Sequence, residues 1–550
     1  MKPFWVSFYS YKGGVGRSMA LANLAALLAR RGRRVFMIDF DLEAPGLDSF
    51  REFGVEVKQP GVVEYAHQFQ QTKTAPDLEP YVQECKFAKP LRGKVWLMSS
   101  GKKDEGYNAK RISVNWEELY ASGMGEPFIA NWKAAIHRLY KPDYVFVDSR
   151  TGLTDVGGIC TLHLPDLVVL LFGLNDQNLH GTAAVLQTIR TAPSARPPQV
   201  VLVATPVPNL PRDEDGLLKN RFGEVEKQLG VKVENFITYN PQAALIEKLF
   251  TLDHERNRMD AEYNYLCEEI QKRNLDGLDS LIEKVEKACE LDDEEAANRI
   301  GVALLEDYGD RADGLFTVGK IYRRFARRDE AIRLWQRALE VDPSHSEAFD
   351  AMISNAKQKK NHEEIIRLFD TQLAHATKNS PSSLPETHRQ RAEELMAMAR
   401  YNEAALSYRF YREGAELSSP DSVLCAHFNE AESERRASGK IHSEEWQAVA
   451  ELFENVRIEA EPLEIQANMF QAMHIPSACL GRIEVAMQLL ARSQRCAAAI
   501  GKAETIFCAK TYSYLPSDEF MAVNEEMAAA LKAGQLWDGM PLPTQPADPM

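Results

Sequence analysis

Near the amino end, FYSYKGGVGRSMALANLAALLA holds a set of residues suited to gripping a polyphosphate. Gly13, Gly14 and Gly16 allow a backbone to wrap around phosphate oxygens with its amide hydrogens turned inward, at the start of a helix. Val15 lies within that loop, and Arg17, Ser18 and Met19 follow it. Ser18 has the hydroxyl that such loops offer to Mg²⁺. Lys12 precedes the paired glycines. Arg17 stands where lysine ordinarily meets the phosphates; it keeps the positive charge but brings a planar, wider fork. That fork could take two phosphate oxygens at once.

A glycine loop means this only between a strand and a helix. The flanking segments fit: FWVSFYS (4–10) reads as a buried strand and SMALANLAALLARRG (18–32) as a helix closed by glycine. Further apolar runs fall at 34–40, 94–100, 143–149, 166–173 and 199–206, separated by helical patterns. Each is aliphatic or aromatic on both faces, as in a covered parallel sheet. The first part is therefore expected to be α/β, a mostly parallel sheet flanked by helices, over 1–255. From 256 to 538 strand-like runs nearly vanish and charged amphipathic helices take over. The proline-rich end, 539–550, is expected to be disordered. Within the helical part, Leu315, Val318, Gly319, Tyr322, Ala331, Trp335, Ala338 and Pro343 fall at the spacing of a tetratricopeptide repeat. Degenerate copies follow, so an all-α repeat array is expected.

Three more segments follow the loop in order: DFDLEAPGLD (39–48), DYVFVDSRTGLTD (143–155), and the pair ATPVPN (204–209) and ITYNPQAAL (237–245). With the loop, they resemble the deviant Walker A group of P-loop ATPases, the MinD/ParA type of the SIMIBI class, in a KGGVGR variant, across roughly residues 4–250. The resemblance implies ATP and Mg²⁺ as cofactors and a slow ATPase. It implies that Lys12 crosses a dimer interface to the partner's nucleotide and that Asp41 orients the attacking water. Ser18, Asp39 and Asp148 would support Mg²⁺, and Gly152 would sense the γ-phosphate through its amide. Thr205, Pro206, Asn240 and Pro241 lie where the family holds the adenine. Arg150 replaces a common proline; it is either an internal arginine finger or one half of an ion pair on a switch loop.

Composition narrows the remaining choices. Hydrophobic residues make up 45% and charged residues 26%, normal for a globular protein, and the formal charge is −15. That balance argues against a nonspecific coat on nucleic acid or anionic membrane. The run ARRGRR (29–34) reads as the solvated end of a helix rather than a DNA patch. Eight cysteines without a C-x-x-C pair point to reduced thiols. No leader or spanning segment is read, so a cytoplasmic protein is expected. The end of the chain lacks the basic amphipathic helix of MinD-type membrane binders.

The leading expectation is a nucleotide-dependent homodimer that signals to a protein partner through its helical repeats. KGGVGR proteins resemble members of bacterial antiphage operons, which suggests that setting. Two alternatives stand beside it: a non-hydrolysing ATP-bound adaptor, and a ParA-like partitioning ATPase with salt-sensitive DNA binding.

Overall fold

The structure, a computed structural model, describes residues 2–56, 58–152, 158–192, 197–210, 215–252, 258–379, 384–414, 420–500 and 504–543. Positions 153–155 of the third motif, much of the 251–260 boundary stretch and residues 544–550 of the expected tail lie outside the described residues. The chain divides into two compact units, Met1–Asp342 and Pro343–Met550.

The first unit is built on an eight-stranded sheet in the order β3-β4-β2-β5-β1-β6-β7-β8. Its strands are β1 (Phe4–Tyr9), β2 (Arg34–Asp39), β3 (Gln83–Glu84), β4 (Lys94–Met98), β5 (Tyr144–Asp148), β6 (Leu167–Phe172), β7 (Gln199–Val207) and β8 (Asn235–Thr238). Every pairing is parallel except β3 with β4. Six strands coincide with the six apolar runs of the sequence. Alternate residues feed opposite faces: Val6, Phe8, Met37 and Phe146 pack on one side, Trp5, Ile38 and Val147 on the other. Both faces are covered, which is why these strands are apolar throughout.

Helix α1 (Arg17–Arg30) is buried around nearly its whole circumference. One side lies on the sheet, and Met259, Tyr263, Leu266 and Ile270 of the helix Arg258–Arg273 join the same core. A helix apolar on all sides needs such double cover. The near-absence of polar residues in MALANLAALLA thus follows from a helix that sequence patterning assigns to the second part of the chain. The first compact unit accordingly runs 87 residues further than the change of pattern at 255 (342 − 255).

The arginines after α1 hold this extension in place, which corrects the solvated reading of ARRGRR. Arg30 Nη1 donates to the Thr251 carbonyl (2.6 Å), and Arg31 donates to Asn264 (2.8 Å) and Gln271 (2.6 Å). Arg33, only 5% exposed, lies 2.5 Å from both Asp279 and Asp313. Arg92 joins Asp313 (3.1 Å) to Asp342 (3.0 Å). Arg33 and Arg34 are instead paired with carboxylates more than 240 residues away in sequence. Patterning cannot register a pairing so remote. The helices Ala312–Arg324 and Arg328–Val341 pack together where Gly319 meets Trp335; a Cβ on Gly319 would come within 2.3 Å of the indole nitrogen.

Among its described residues the second unit is built of successive helices, from Ser346–Gln358 to Ile483–Ala499 and again over Ser517–Lys532. It carries one antiparallel hairpin, β9 (Thr505–Cys508) with β10 (Ser513–Pro516), which the helical periodicity around it conceals. Residues 539–542 of the expected tail belong to the described structure and join residues 535–538 on the second unit's core. Leu542 N–H donates to the Gly534 carbonyl (3.0 Å), and Trp537, Met540 and Leu542 pack against the core. No helix among the described residues is long and apolar enough to cross a membrane. All eight cysteines are free thiols.

Candidate nucleotide site

Parallel strands bring their carboxyl ends to one edge of a sheet, and ligands gather there, where chain order reverses. Here β1 lies between β5 and β6, with β2 beyond β5. The registers set Phe8 beside Asp148 and Asp39 beside Asp148. The glycine loop after β1 and the aspartates ending β2 and β5 are therefore neighbours by topology alone.

Within the loop, Gly14 and Gly16 both adopt φ of +77°, a conformation L-residues rarely hold. A Cβ added at Gly13, Gly14 or Gly16 would meet nothing within 4 Å, so backbone conformation, not crowding, requires the last two. Gly16 opens α1 with no side-chain cap. The helix therefore begins with amide donors and the positive end of its dipole at the loop, as an anion site needs.

Three carboxylates stand close by. Asp39 and Asp148 are fully buried and Asp41 is 7% exposed. Asp39 Oδ2 accepts from the amides of Gly46 and Leu47 (3.2 Å each). Ser18 donates its hydroxyl to Asp148 Oδ2 in a short contact. Arg17 lies 2.7 Å from Asp41 Oδ2 through Nη2 and 3.5 Å from Asp148 Oδ1 through Nε. Its Nη1 donates to Ser10 Oγ (3.3 Å), which in turn donates to the Lys12 carbonyl (2.7 Å). Asp39 Oδ1 and Asp148 Oδ1 are buried and accept no hydrogen bond.

Burial, with repulsion from Asp148, holds the Asp39 carboxyl well above the ordinary range despite the Leu47 amide. Asp148 is pushed up to about 6, again chiefly by burial, while Arg17 and Ser18 pull it down. Two buried carboxylates, each with an oxygen that accepts no hydrogen bond, are a natural seat for a hard divalent cation, which takes one or two carboxylates together with phosphate oxygens. The donor set fits Mg²⁺.

The remaining expected residues divide into three groups. Thr205, Pro206 and Asn240, at the ends of β7 and β8, line a cavity of about 140 Å³ with Gly14, Val15, Gly16 and Met19. A second cavity, about 280 Å³, runs along the loop from Ser10 to Met19 and is bounded by Gly46, Phe50 and Glu247. Pro241 precedes the turn Gln242–Ala244 and lines neither cavity. Gly152, at φ +81°, is held by its carbonyl, which accepts the Tyr9 hydroxyl at 2.7 Å. Burial pushes that hydroxyl up to about 12.

Lys12 and Arg150 stand apart from the carboxylates. The Lys12 ammonium lies 5.7 Å from the centre of the Tyr11 ring, and that ring rests on Gly181, where a Cβ would come within 1.9 Å. Arg150 pairs with Glu43 at 2.7 Å, and Glu43 also pairs with Arg111 at 3.1 Å. The ion-pair reading of Arg150 thus describes its contact in this structure.

Two residues of the smaller cavity escaped sequence reasoning: Met259 and Tyr263. Met259 Sδ accepts from Asn240 Nδ2 at 3.0 Å. They occupy ordinary apolar positions of an amphipathic helix, and nothing local distinguishes them from core.

A family model for the CobQ/CobB/MinD/ParA nucleotide binding domain matches residues 6–302. The chain belongs to this family. The CobQ/CobB/MinD/ParA match passes the end of the sheet and takes in the helix that carries Met259 and Tyr263. Among solved structures, this chain is similar to the cell division ATPase MinD of Pyrococcus furiosus (18% identity, 49% of this chain and 98% of that one, TM-score 0.37). It is also similar to the septum site-determining protein MinD of Pyrococcus horikoshii OT3, complexed with Mg-ADP (17%, 49% and 96%, 0.36). A ParA family ATPase from Chlorobium tepidum TLS is a third (17%, 48% and 98%, 0.37). No curated protein matches the chain.

The second unit has a cavity of its own, about 610 Å³, between helices and the β9–β10 hairpin. Phe428, Met469, Met473, Phe507 and Tyr514 supply apolar walls, with Arg389 and Glu393 at one side. Its size and its mix of apolar walls with few polar groups are those of ligand pockets.

Proposed function

We propose that this chain binds ATP with Mg²⁺ and hydrolyses it slowly, as a dimerisation switch whose helical second half engages a protein partner. The observation that carries the reading is the convergence of an open glycine loop with Asp39, Asp41 and Asp148 at one edge of the sheet. In the proposed roles, the loop amides and Lys12 bind phosphates, and Thr205, Pro206 and Asn240 flank the base. Ser18, Asp39 and Asp148 would hold Mg²⁺, which neutralises charge on the β- and γ-phosphate oxygens. Asp41 would orient the attacking water and accept its proton. The Gly152 backbone would report the γ-phosphate to the segment that follows.

Dimerisation through Lys12 rests on the resemblance to the deviant Walker A group. Signalling through the helices rests on the resemblance and on the helical make-up of the second unit, and it requires a partner that distinguishes the two nucleotide states. A role in antiphage systems rests on the KGGVGR variant alone.

Phosphate release measured across a range of protein concentrations, beside Asp41→Ala, tests the reading. Turnover per chain is expected to rise with concentration and to vanish in the variant, with nucleotide still bound. Bound ATP without turnover above that of Asp41→Ala would favour the adaptor alternative.

A further inference from the structure

Arg17 occupies the position of a phosphate-gripping lysine, yet its contacts here are all with other parts of the site. Its three donor groups face three partners at three points of the chain. Nη1 donates to Ser10, just after β1; Nη2 donates to Asp41, after β2; Nε lies 3.5 Å from Asp148, at the end of β5, in an ion pair without a hydrogen bond. The guanidinium is 9% exposed. An ammonium gathers its three N–H donors on one nitrogen at the end of a flexible stem, whereas a guanidinium spreads five over three nitrogens of a rigid plane and so reaches separated partners in one conformation.

The electrostatics call for such a fork. Asp39 and Asp148 face each other on adjacent strands, and Asp41 and Asp148 both lie within reach of one guanidinium. A buried cation that touches two of the three fixes their spacing and offsets their repulsion. Anion binding by the loop has a separate source in the backbone: glycines held at positive φ and an uncapped helix start.

We infer that Arg17 is a positioning residue, which sets the place of Asp41 against Asp148 for hydrolysis, and that nucleotide affinity is carried mainly by the loop backbone. The inference rests on the ATPase reading above. It gives the departure from lysine a purpose: the fork trades a direct grip on phosphate for control of the carboxylate that orients water.

The test separates binding from turnover. Arg17→Lys keeps the charge but loses the fork; Arg17→Gln keeps part of the hydrogen bonding but loses the charge. For each full-length protein, two quantities are measured: the dissociation constant for a fluorescent non-hydrolysable ATP analogue with Mg²⁺, and kcat from phosphate release at saturating ATP. Thermal unfolding confirms that each variant is folded. The expected result is a fall in kcat of at least ~10-fold for Arg17→Lys and more for Arg17→Gln, with analogue affinity within ~3-fold of wild type. Weaker analogue binding by 10-fold or more, with kcat retained at saturation, would overturn the assignment and return Arg17 to the phosphates. Unchanged kcat in Arg17→Lys would overturn it too. Wild-type protein that binds the analogue but releases no phosphate would overturn the hydrolytic reading itself, and positioning for hydrolysis with it.

Discussion

Asp39 shows how a buried carboxylate weakens the fold that holds it. It is fully buried, its pKa is raised by burial and by Asp148, and its hydrogen bonds come from two backbone amides that a neutral amide oxygen could serve equally well. Asp39→Asn is therefore expected to stabilise the protein at pH 7.5 by about 1–2 kcal/mol in thermal or urea unfolding, while weakening Mg²⁺-dependent nucleotide binding. Stability unchanged or lowered would contradict this account of the carboxylate. His474 carries the opposite pH sign in the second unit. It is buried beside Glu432 and Arg435, and burial lowers its pKa to about 4, against a smaller upward pull from its hydrogen bond to the Gln471 carbonyl. Between pH 6.5 and about 4 the unfolded chain takes a proton on this ring that the native state refuses. Its contribution is thus complete above pH 6.5 and declines as pH falls to about 4, by roughly 3 kcal/mol in total. Unfolding midpoints of wild type and His474→Gln should converge on acidification across this window. Parallel curves would show that the imidazole is protonated in the native state.

At the scale of elements, α1 spans the first unit from the glycine loop to the arginines that bind the helices after the sheet. Its two ends have different chemistry: amide donors with Arg17 and Ser18 at one, Arg30 to Arg34 at the other. Arg33 is the most deeply buried of that second set, with two carboxylates in contact. Burial alone would lower its pKa, but Asp279 and Asp313 reverse that and raise it. Arg33→Ala leaves those carboxylates without their shared cation and is expected to cost about 3 kcal/mol, read as a lowered unfolding midpoint. A loss under ~0.5 kcal/mol would mark the pair as equivalent to an exposed ion pair. The same alanine at Arg327, an exposed side chain that pairs with Glu330 and stacks on the Tyr322 ring, should lower the midpoint far less.

For the whole molecule, the useful boundary lies at Asp342 rather than at the change of pattern near 255. A fragment ending at 255 would lose Met259 and Tyr263 from the smaller cavity and the helix that covers α1. It would also strip Asp279 and Asp313 from Arg33. Residues 1–342 are expected to be soluble, to unfold cooperatively and to bind ATP; residues 1–255 are expected to aggregate. A well-folded, nucleotide-binding 1–255 fragment would show that these later helices are dispensable.

Local order and patterning carried the α/β sheet, because a strand buried on both faces must be apolar along its length, and six runs had that signature. They also carried the strand–loop–helix context of Gly13 to Ser18, since φ of +77° at Gly14 and Gly16 restricts residue choice at those positions. Short and distant features were not legible in this way. The two-residue β3 and the β9–β10 hairpin are too brief for a period to emerge. Met259 and Tyr263 look like core residues of any amphipathic helix. Arg17 as a three-way bridge and Arg33 as a buried cation depend on partners brought together by sheet topology and helix packing. Residue type alone determined that a cation stands at position 17; the tertiary structure decided which groups it touches, because the carboxylates that fix a guanidinium come from strands adjacent in space and remote in sequence.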